Sequence, residues 1–305
     1  MAESSLLHRV PGGLRREWWG RWYWRWPIKA AIFLAVTLVV LFPRPGLFAR
    51  HLAHVRDMQA MIAPDDPRLE ELEGEVRARL DEEATSARFA ATDRERGLLI
   101  QQQIERLVLE RVEYAWDWDT WGCADYMPTV AEMFDVAAAT QSGLREDCDG
   151  RAIVAASLMR RMGYDARLAT DLRHVWVVTP EGEWMGPGGA KSATSTDEGN
   201  DIHWTGVIRN IPMSLSYGIA VFPLPREIII LLTAYGLMLT RRTPGSAAVL
   251  ALLLLMQGLL FMRLGFLAPL AVARQASSWP AWVGIFHILA GFAVLIRGGS
   301  RHARA

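Results

Sequence analysis

Four long apolar stretches constrain the fold of this 305-residue chain more than any other feature. They occupy residues 22–42, 228–240, 246–262 and 281–296. An α-helix needs about 20 apolar residues to cross a bilayer, and a shorter run can still span where flanking Lys and Arg side chains reach the interface. We therefore expect about four transmembrane helices, with the lipid bilayer as the partner of their outer faces.

Basic residues at the ends of these stretches predict their orientation. Six Lys or Arg residues interleave with aromatic residues in residues 1–29, Arg241 and Arg242 follow the second stretch, and Arg297, Arg301 and Arg304 follow the last. Cytoplasmic flanks of membrane helices are enriched in Lys and Arg. The termini should thus be cytoplasmic and residues 44–215 extracytoplasmic. A cleaved signal peptide is the alternative for the first stretch, which we expect to be retained.

Charge and cysteine content exclude several classes of function. The net charge is zero, which argues against nucleic acid as a partner. Two cysteines are too few for a disulfide framework or a structural zinc site, and we predict neither a metal nor a cofactor. We expect Cys123 to be an unpaired core or groove residue that forms no disulfide with Cys148.

Residues 65–115 are charged and show helical spacing of apolar side chains. Asp66 followed by Pro67 is typical of a helix start, and Thr92 with Glu95 forms a capping-box pattern for a second helix. We predict a helical hairpin here, with the acidic run 70–83 as a solvated face. Thr129 with Glu132 predicts one more helix by the same pattern.

Cys148 lies at the predicted start of another helix. Asp147 is a good N-cap and Gly163 a good C-terminal stop, so Cys148 falls in the first turn. The partial positive charge of a helix N-terminus favours a thiolate. This position is typical of a reactive cysteine, although a small buried residue is the alternative.

The spacing to His174 brings a base towards that thiol. A helix of about 14 residues carries the chain roughly 20 Å away from Cys148. A strand through residues 164–170 brings it roughly 23 Å back, and a second strand begins at His174. Nucleophilic thiol catalysis needs such a thiol and base within hydrogen-bond reach.

These motifs resemble the core of transglutaminase-like cysteine proteins, the bacterial transglutaminase-like peptidases in particular. The residues concerned are Asp147-Cys148 with Ala152, the stretch 163–167, His174-Val-Trp176 and the upstream stretch 125–134; the resemblance covers roughly residues 112–190. It implies a papain-like α+β domain and Cys-His-Asp chemistry on amide or peptide bonds, as a peptidase, amidase or acyl transferase of a bacterial inner membrane. The substrate would be a peptide or protein.

Aromatic residues around the motifs are candidates for a substrate groove. Trp121 and Tyr126 offer side-chain donors that could face an oxyanion, and Trp176 follows the histidine closely. The alternative is that these aromatic residues seal a loop onto the core.

The third catalytic residue is missing from its usual place. The return strand opposite His174 reaches residues 186–189, which are Gly-Pro-Gly-Gly. We expect Asp197, or else Asn200 or Asp201, to substitute from a polar loop at residues 191–200. If only a backbone carbonyl or solvent meets the far nitrogen of His174, the site is a dyad at best. That result, and Glu146 where the family has Gly, would favour a non-catalytic domain that serves as a binding or scaffold subunit of a membrane complex.

Three parts follow from this interpretation. They are an N-terminal segment with the first span (1–43), an extracytoplasmic α+β domain with the helical hairpin (44–215), and a three-helix membrane region (216–305).

Overall fold

The computed structural model describes residues 22–85, 92–264 and 279–301, so the basic residues before Trp22 and Arg304 lie outside the described residues. Within these ranges the chain forms eleven α-helices and seven strands. The helices are α1 Trp22–Leu41, α2 Pro45–Arg56, α3 Glu70–Thr85, α4 Asp93–Arg111, α5 Asp117–Thr120, α6 Val130–Thr140, α7 Cys148–Arg161, α8 Trp204–Val221, α9 Leu224–Met238, α10 Gly245–Leu264 and α11 Trp279–Arg301. The strands are β1 Val112–Tyr114, β2 Leu144–Glu146, β3 Arg167–Thr170, β4 Val175–Thr179, β5 Gly182–Trp184, β6 Ala193–Thr196 and β7 Gly199–Ile202.

Membrane association, which the apolar stretches predicted, is confirmed. By length and apolar composition, α10 and α11 can each cross a bilayer. Two bent pairs, α1 with α2 and α8 with α9, bring the number of spans to as many as four if each pair is one span. The bend is 86° in the first pair and 120° in the second.

Small residues let α10 and α11 pack closely. A methyl group on Gly258 would lie 2.8 Å from the carbonyl oxygen of Gly284, and one on Gly284 would lie 2.7 Å from the carbonyl oxygen of Gly258. Close backbone approach through small residues is a common mode of helix association in membranes.

The predicted helical hairpin is present as α3 and α4. The capping boxes are confirmed: the hydroxyl of Thr92 accepts a hydrogen bond from the Glu95 N–H at 3.2 Å, and that of Thr129 accepts one from the Glu132 N–H at 3.1 Å. In both boxes the Glu carboxylate also accepts from the capping residue's own N–H.

A five-stranded antiparallel sheet has the strand order β5-β4-β3-β6-β7. Helix α7 packs on this sheet, and nearly all of its residues from Asp149 to Met159 are buried. The described structure is therefore a mixed helix and sheet core attached to apolar helices. A separate pair of parallel strands, β1 and β2, leads into the start of α7.

Two local predictions were wrong. The polar stretch 191–200 is a β-hairpin rather than a loop, because β6 and β7 pair from Ala193↔Ile202 to Thr196↔Gly199. The sequence of residues 203–211 also predicts a short strand-like run, but helix α8 begins there at Trp204 and continues through the expected boundary at residue 215.

Candidate functional site

Cys148 is the first residue of α7, as the capping pattern predicted. The carboxylate of Asp147 accepts a hydrogen bond from the Asp149 N–H at 3.2 Å, and α7 ends just before Gly163, whose φ is +89°. Both cysteines are free thiols; Cys123 is buried and Cys148 is partly exposed. The main chain of Val175, the residue after His174, hydrogen-bonds to the Cys148 sulfur. Hence the start of β4 lies against the start of α7.

The electrostatic surroundings oppose a resting thiolate at Cys148. Burial raises the pKa of the Cys148 thiol well above its ordinary value, and the negative charge of Asp147 adds to the effect. The hydrogen bond from Val175 acts in the opposite direction. Burial and Asp147 thus outweigh the stabilisation of a thiolate by the helix N-terminus. Attack by the sulfur therefore requires a base that takes the thiol proton.

Asp171 organises the turn that presents His174. This residue is 1% exposed, and its carboxylate accepts hydrogen bonds from the N–H groups of Arg173, His174 and Gly189 at 3.1 Å each. The Arg173 guanidinium also donates to it, at 2.6 Å. Sequence reasoning missed Asp171. A signal was available, since an Asp that directly follows a strand commonly caps the next turn with its side chain.

A backbone carbonyl orients the imidazole of His174. Its Nε2 lies 3.0 Å from the carbonyl oxygen of Met185, directly after β5. A carbonyl oxygen only accepts hydrogen bonds, so Nε2 donates to it, and a ring with its single proton on Nε2 has Nδ1 as an acceptor. Gly186 follows with φ +74°, and a Cβ there would lie 3.3 Å from Nε2. Glycine at this position therefore allows the close approach.

The candidate acids for a triad lie elsewhere among the described residues. Asp197 is 73% exposed and pairs with Arg160 at 3.6 Å and Arg167 at 4.0 Å. Asp201 lies 3.9 Å from the Nε2 of His203. Since β7 is three strands from β4, and strands are about 4.8 Å apart, Asp201 is displaced by roughly 14 Å.

Asn200 hydrogen-bonds to the end of α2 and not to His174. Its side-chain amide donates to the carbonyl oxygens of Val55 at 2.7 Å and Arg56 at 3.1 Å. The expectation of an acid from residues 191–201 therefore gains no support. Nε2 of His174 meets a backbone carbonyl rather than an acid.

The aromatic residues that were predicted to line a groove form side-chain hydrogen bonds within the fold. Trp121 donates from Nε1 to Glu146 at 3.0 Å, and the hydroxyl of Tyr126 donates to Glu132 at 2.7 Å. Trp176 is fully buried and donates to Glu183 at 2.9 Å, with its ring stacked 6.2 Å from that of His174. These contacts favour the sealing interpretation for Trp121 and Tyr126.

Three carboxylates meet beside the thiol. One oxygen each from Asp117, Glu146 and Asp147 lie within 4.8 Å of one another. Asp117 and Glu146 are 3% and 1% exposed, and each keeps one buried oxygen with no hydrogen-bond partner. Burial, then the charge of Asp147, raises the pKa of both side chains well above the ordinary value. A shared proton or a divalent cation would relieve the repulsion between the three carboxylates. The sequence analysis predicted no metal site here.

Two tyrosines from distant segments interact with the thiol. Tyr114, at the end of β1, and Tyr217, on α8, form a side-chain hydrogen bond with each other. Both interact electrostatically with Cys148, and burial followed by Cys148 raises the pKa of Tyr114. Tyr217 lies in a stretch predicted as membrane region, so the sequence offered no signal that it belongs to this site.

No protein-family model matches the chain, and no curated protein or solved structure matches it either.

Proposed function

We propose that this protein is a membrane-anchored thiol acyl-hydrolase or acyl transferase, with Cys148 as nucleophile and His174 as base. The observation that supports the proposal is the approach of the Val175 main chain to the Cys148 sulfur, because His174 is the residue directly before Val175. The resemblance to transglutaminase-like proteins, including their papain-like fold, is part of the same proposal.

In the proposed reaction the Cys148 thiol donates the proton and Nδ1 of His174 accepts it. The Nδ1 of His174 takes the thiol proton as the sulfur attacks an acyl carbon, which forms a tetrahedral intermediate. Collapse breaks the bond to the leaving amine or alcohol, which receives that proton from Nδ1, and a thioester remains on Cys148. Water or a second nucleophile then cleaves the thioester and returns the proton to the thiol.

The backbone carbonyl of Met185 limits the rate that this pair can reach. It holds the productive tautomer of His174, but it lacks the full negative charge with which a carboxylate stabilises an imidazolium. We therefore expect a slow enzyme rather than an inactive one.

A second candidate is a binding or scaffold domain that has lost catalysis. The raised pKa of the Cys148 thiol favours it, as does the carbonyl in place of an acid at His174. In that case the thiol contributes packing only.

Alkylation of the intact protein separates the two candidates. We would treat the full chain in nanodiscs with iodoacetamide from pH 6 to 10 and measure the labelling of each cysteine by mass spectrometry. Cys123 is the internal control, because it is fully buried whereas Cys148 is partly exposed. We expect Cys148 to react near neutral pH and the His174→Ala variant to react about 100-fold more slowly, the scale of one general base.

Loss of the base must also change the pH profile. In the His174→Ala variant the labelling of Cys148 should shift to higher pH, whereas a merely structural histidine would leave the profile unchanged. Equal profiles with and without His174 would reject the enzyme and leave the binding domain.

A further inference from the structure

We propose that the thiol site takes amphiphilic substrates, namely amides or esters whose hydrocarbon chain lies in the membrane. The inference rests on the proposed function and names its substrate class. It is carried by a row of aromatic rings that leads from the membrane helices to Cys148.

The aromatic row starts at the bend between α8 and α9. Phe222 lies there, with its ring centroid 6.3 Å from that of Trp118. Trp118 stacks on Trp116 at 5.0 Å, and Trp116 meets Tyr114 edge-on at 5.2 Å. Tyr114 then hydrogen-bonds to Tyr217 beside the thiol.

Phe222 is buried at 6% exposure, whereas the other rings of this row are partly exposed. Tyr114, Trp116 and Trp118 each keep an accessible face, and so does Tyr217. Aromatic side chains with an apolar body and a polar tip are typical of the membrane–water interface. A continuous row of them offers a surface along which a hydrocarbon chain can lie.

Helix α8 joins the thiol to the membrane through two opposite faces. One face packs on the soluble core, where the side chain of Asn210 donates to the carbonyl oxygen of Ala190 at 2.6 Å, and Tyr217 continues this face towards Cys148. The other face carries exposed apolar residues at helical spacing, which are Trp204, Ile208, Ile211 and Leu215 at 69%, 70%, 52% and 54% exposure.

The bilayer is the occupant of that exposed face, because α8 is continuous with the candidate spans. Ser216 donates to the carbonyl oxygen of Met262 in α10 at 3.2 Å. Arg263, also in α10, donates to the carbonyl oxygen of Ile219 at 2.9 Å. One helix thickness, about 10 Å, therefore separates the thiol side of α8 from hydrocarbon. An acyl chain readily spans that distance.

Two electrophiles with the same reactive group test the substrate class. N-methyl and N-dodecyl 2-chloroacetamide both alkylate a thiol with loss of chloride, and differ only in the chain. With the full chain in nanodiscs, we expect the dodecyl probe to label Cys148 at least tenfold faster than the methyl probe.

Two variants test whether a faster dodecyl rate comes from binding along the aromatic row or only from partition of the probe into lipid. Trp118→Ala should lower the ratio of the dodecyl rate to the methyl rate from at least tenfold to near one. Trp279→Ala is the matched control, because this tryptophan is 58% exposed on α11 and lies outside the row. It should keep the full advantage.

The outcomes distinguish the two proposals. Equal rates for the two probes, or a dodecyl advantage that survives Trp118→Ala, would overturn the inference while His174-dependent labelling still supports the thiol enzyme. Absence of His174-dependent labelling with either probe would overturn the enzyme proposal itself, and the substrate class with it.

Discussion

Gly206→Ala tests whether α8 is seated on the soluble core, which is the contact that sets Tyr217 beside the thiol. A Cβ at Gly206 would overlap the carbonyl oxygen of Lys191, lie 2.7 Å from its carbonyl carbon and lie 3.3 Å from the Ser192 nitrogen. These are backbone atoms that cannot rotate away. Since carbon atoms pack best at about 3.5 to 4.0 Å, the helix must retreat by roughly 1 Å.

The cost follows from the contacts that such a shift would break. Overpacking costs about 1 to 3 kcal/mol. Two hydrogen bonds at the same junction, from His203 N–H to Ser192 at 2.9 Å and from Asn210 to Ala190 at 2.6 Å, would contribute roughly 1 kcal/mol each. The better helix propensity of Ala returns about 1 kcal/mol. The net loss in free energy of unfolding is about 2 to 4 kcal/mol.

Thermal unfolding followed by Trp fluorescence in nanodiscs measures this loss. For a chain of this size we expect Tm to fall by roughly 5 to 15 °C. Gly218→Ala in the same helix is the control, because a Cβ there meets nothing within 4 Å and should leave Tm unchanged or slightly higher. If the two variants have the same Tm, or if Gly206→Ala is the more stable, the seating of α8 described above is wrong.

Two further substitutions have defined outcomes. The folded-state pKa of Glu146 is raised, so the stability that this side chain contributes is present at low pH and is lost as the pH rises through that pKa. Glu146→Gln should therefore flatten the dependence of Tm on pH and stabilise the protein at pH 8 by roughly 1 to 3 kcal/mol. Glu113→Gln, at a side chain that is 68% exposed, should change neither, and equal curves for both variants would contradict the buried charge. In the membrane helices, Gly258→Ala would place a Cβ 2.8 Å from the Gly284 carbonyl oxygen and should cost about 1 to 3 kcal/mol by chemical denaturation, whereas Gly236→Ala, with open space around it, should be neutral.

Local chemistry explains which elements could be predicted from the sequence. The starts of α4 and α6 are encoded by Thr and Glu three residues apart, because both hydrogen bonds of a capping box close within one turn. The start of α7 at Cys148 and its end before Gly163 follow from an N-cap and a left-handed glycine. The nearness of the thiol and the β4 strand follows from rise per residue alone.

The β6–β7 hairpin and α8 illustrate where sequence patterns fail. Ser195 is completely buried in β6, and its hydroxyl accepts a hydrogen bond from the Leu168 N–H at 2.9 Å. A buried polar residue with a distant partner looks like a loop residue in any hydropathy pattern. Helix α8 likewise contains Pro212 and a buried Asn210 whose partners lie about 20 residues away, on the segment that precedes β6.

The sequence by itself determined the apolar helices, the capped helix starts and the meeting of Cys148 with the strand that follows His174. Only the tertiary structure decided what surrounds that pair. The Met185 carbonyl meets Nε2 of His174 where an acid was expected, because residues 186–189 after β5 are Gly-Pro-Gly-Gly and offer no side-chain acceptor. Asp117 joins Glu146 and Asp147, and Tyr217 joins Tyr114, through packing between segments far apart in the chain. Such contacts depend on three-dimensional distance, whereas caps and periodicities depend on neighbours within a turn or two.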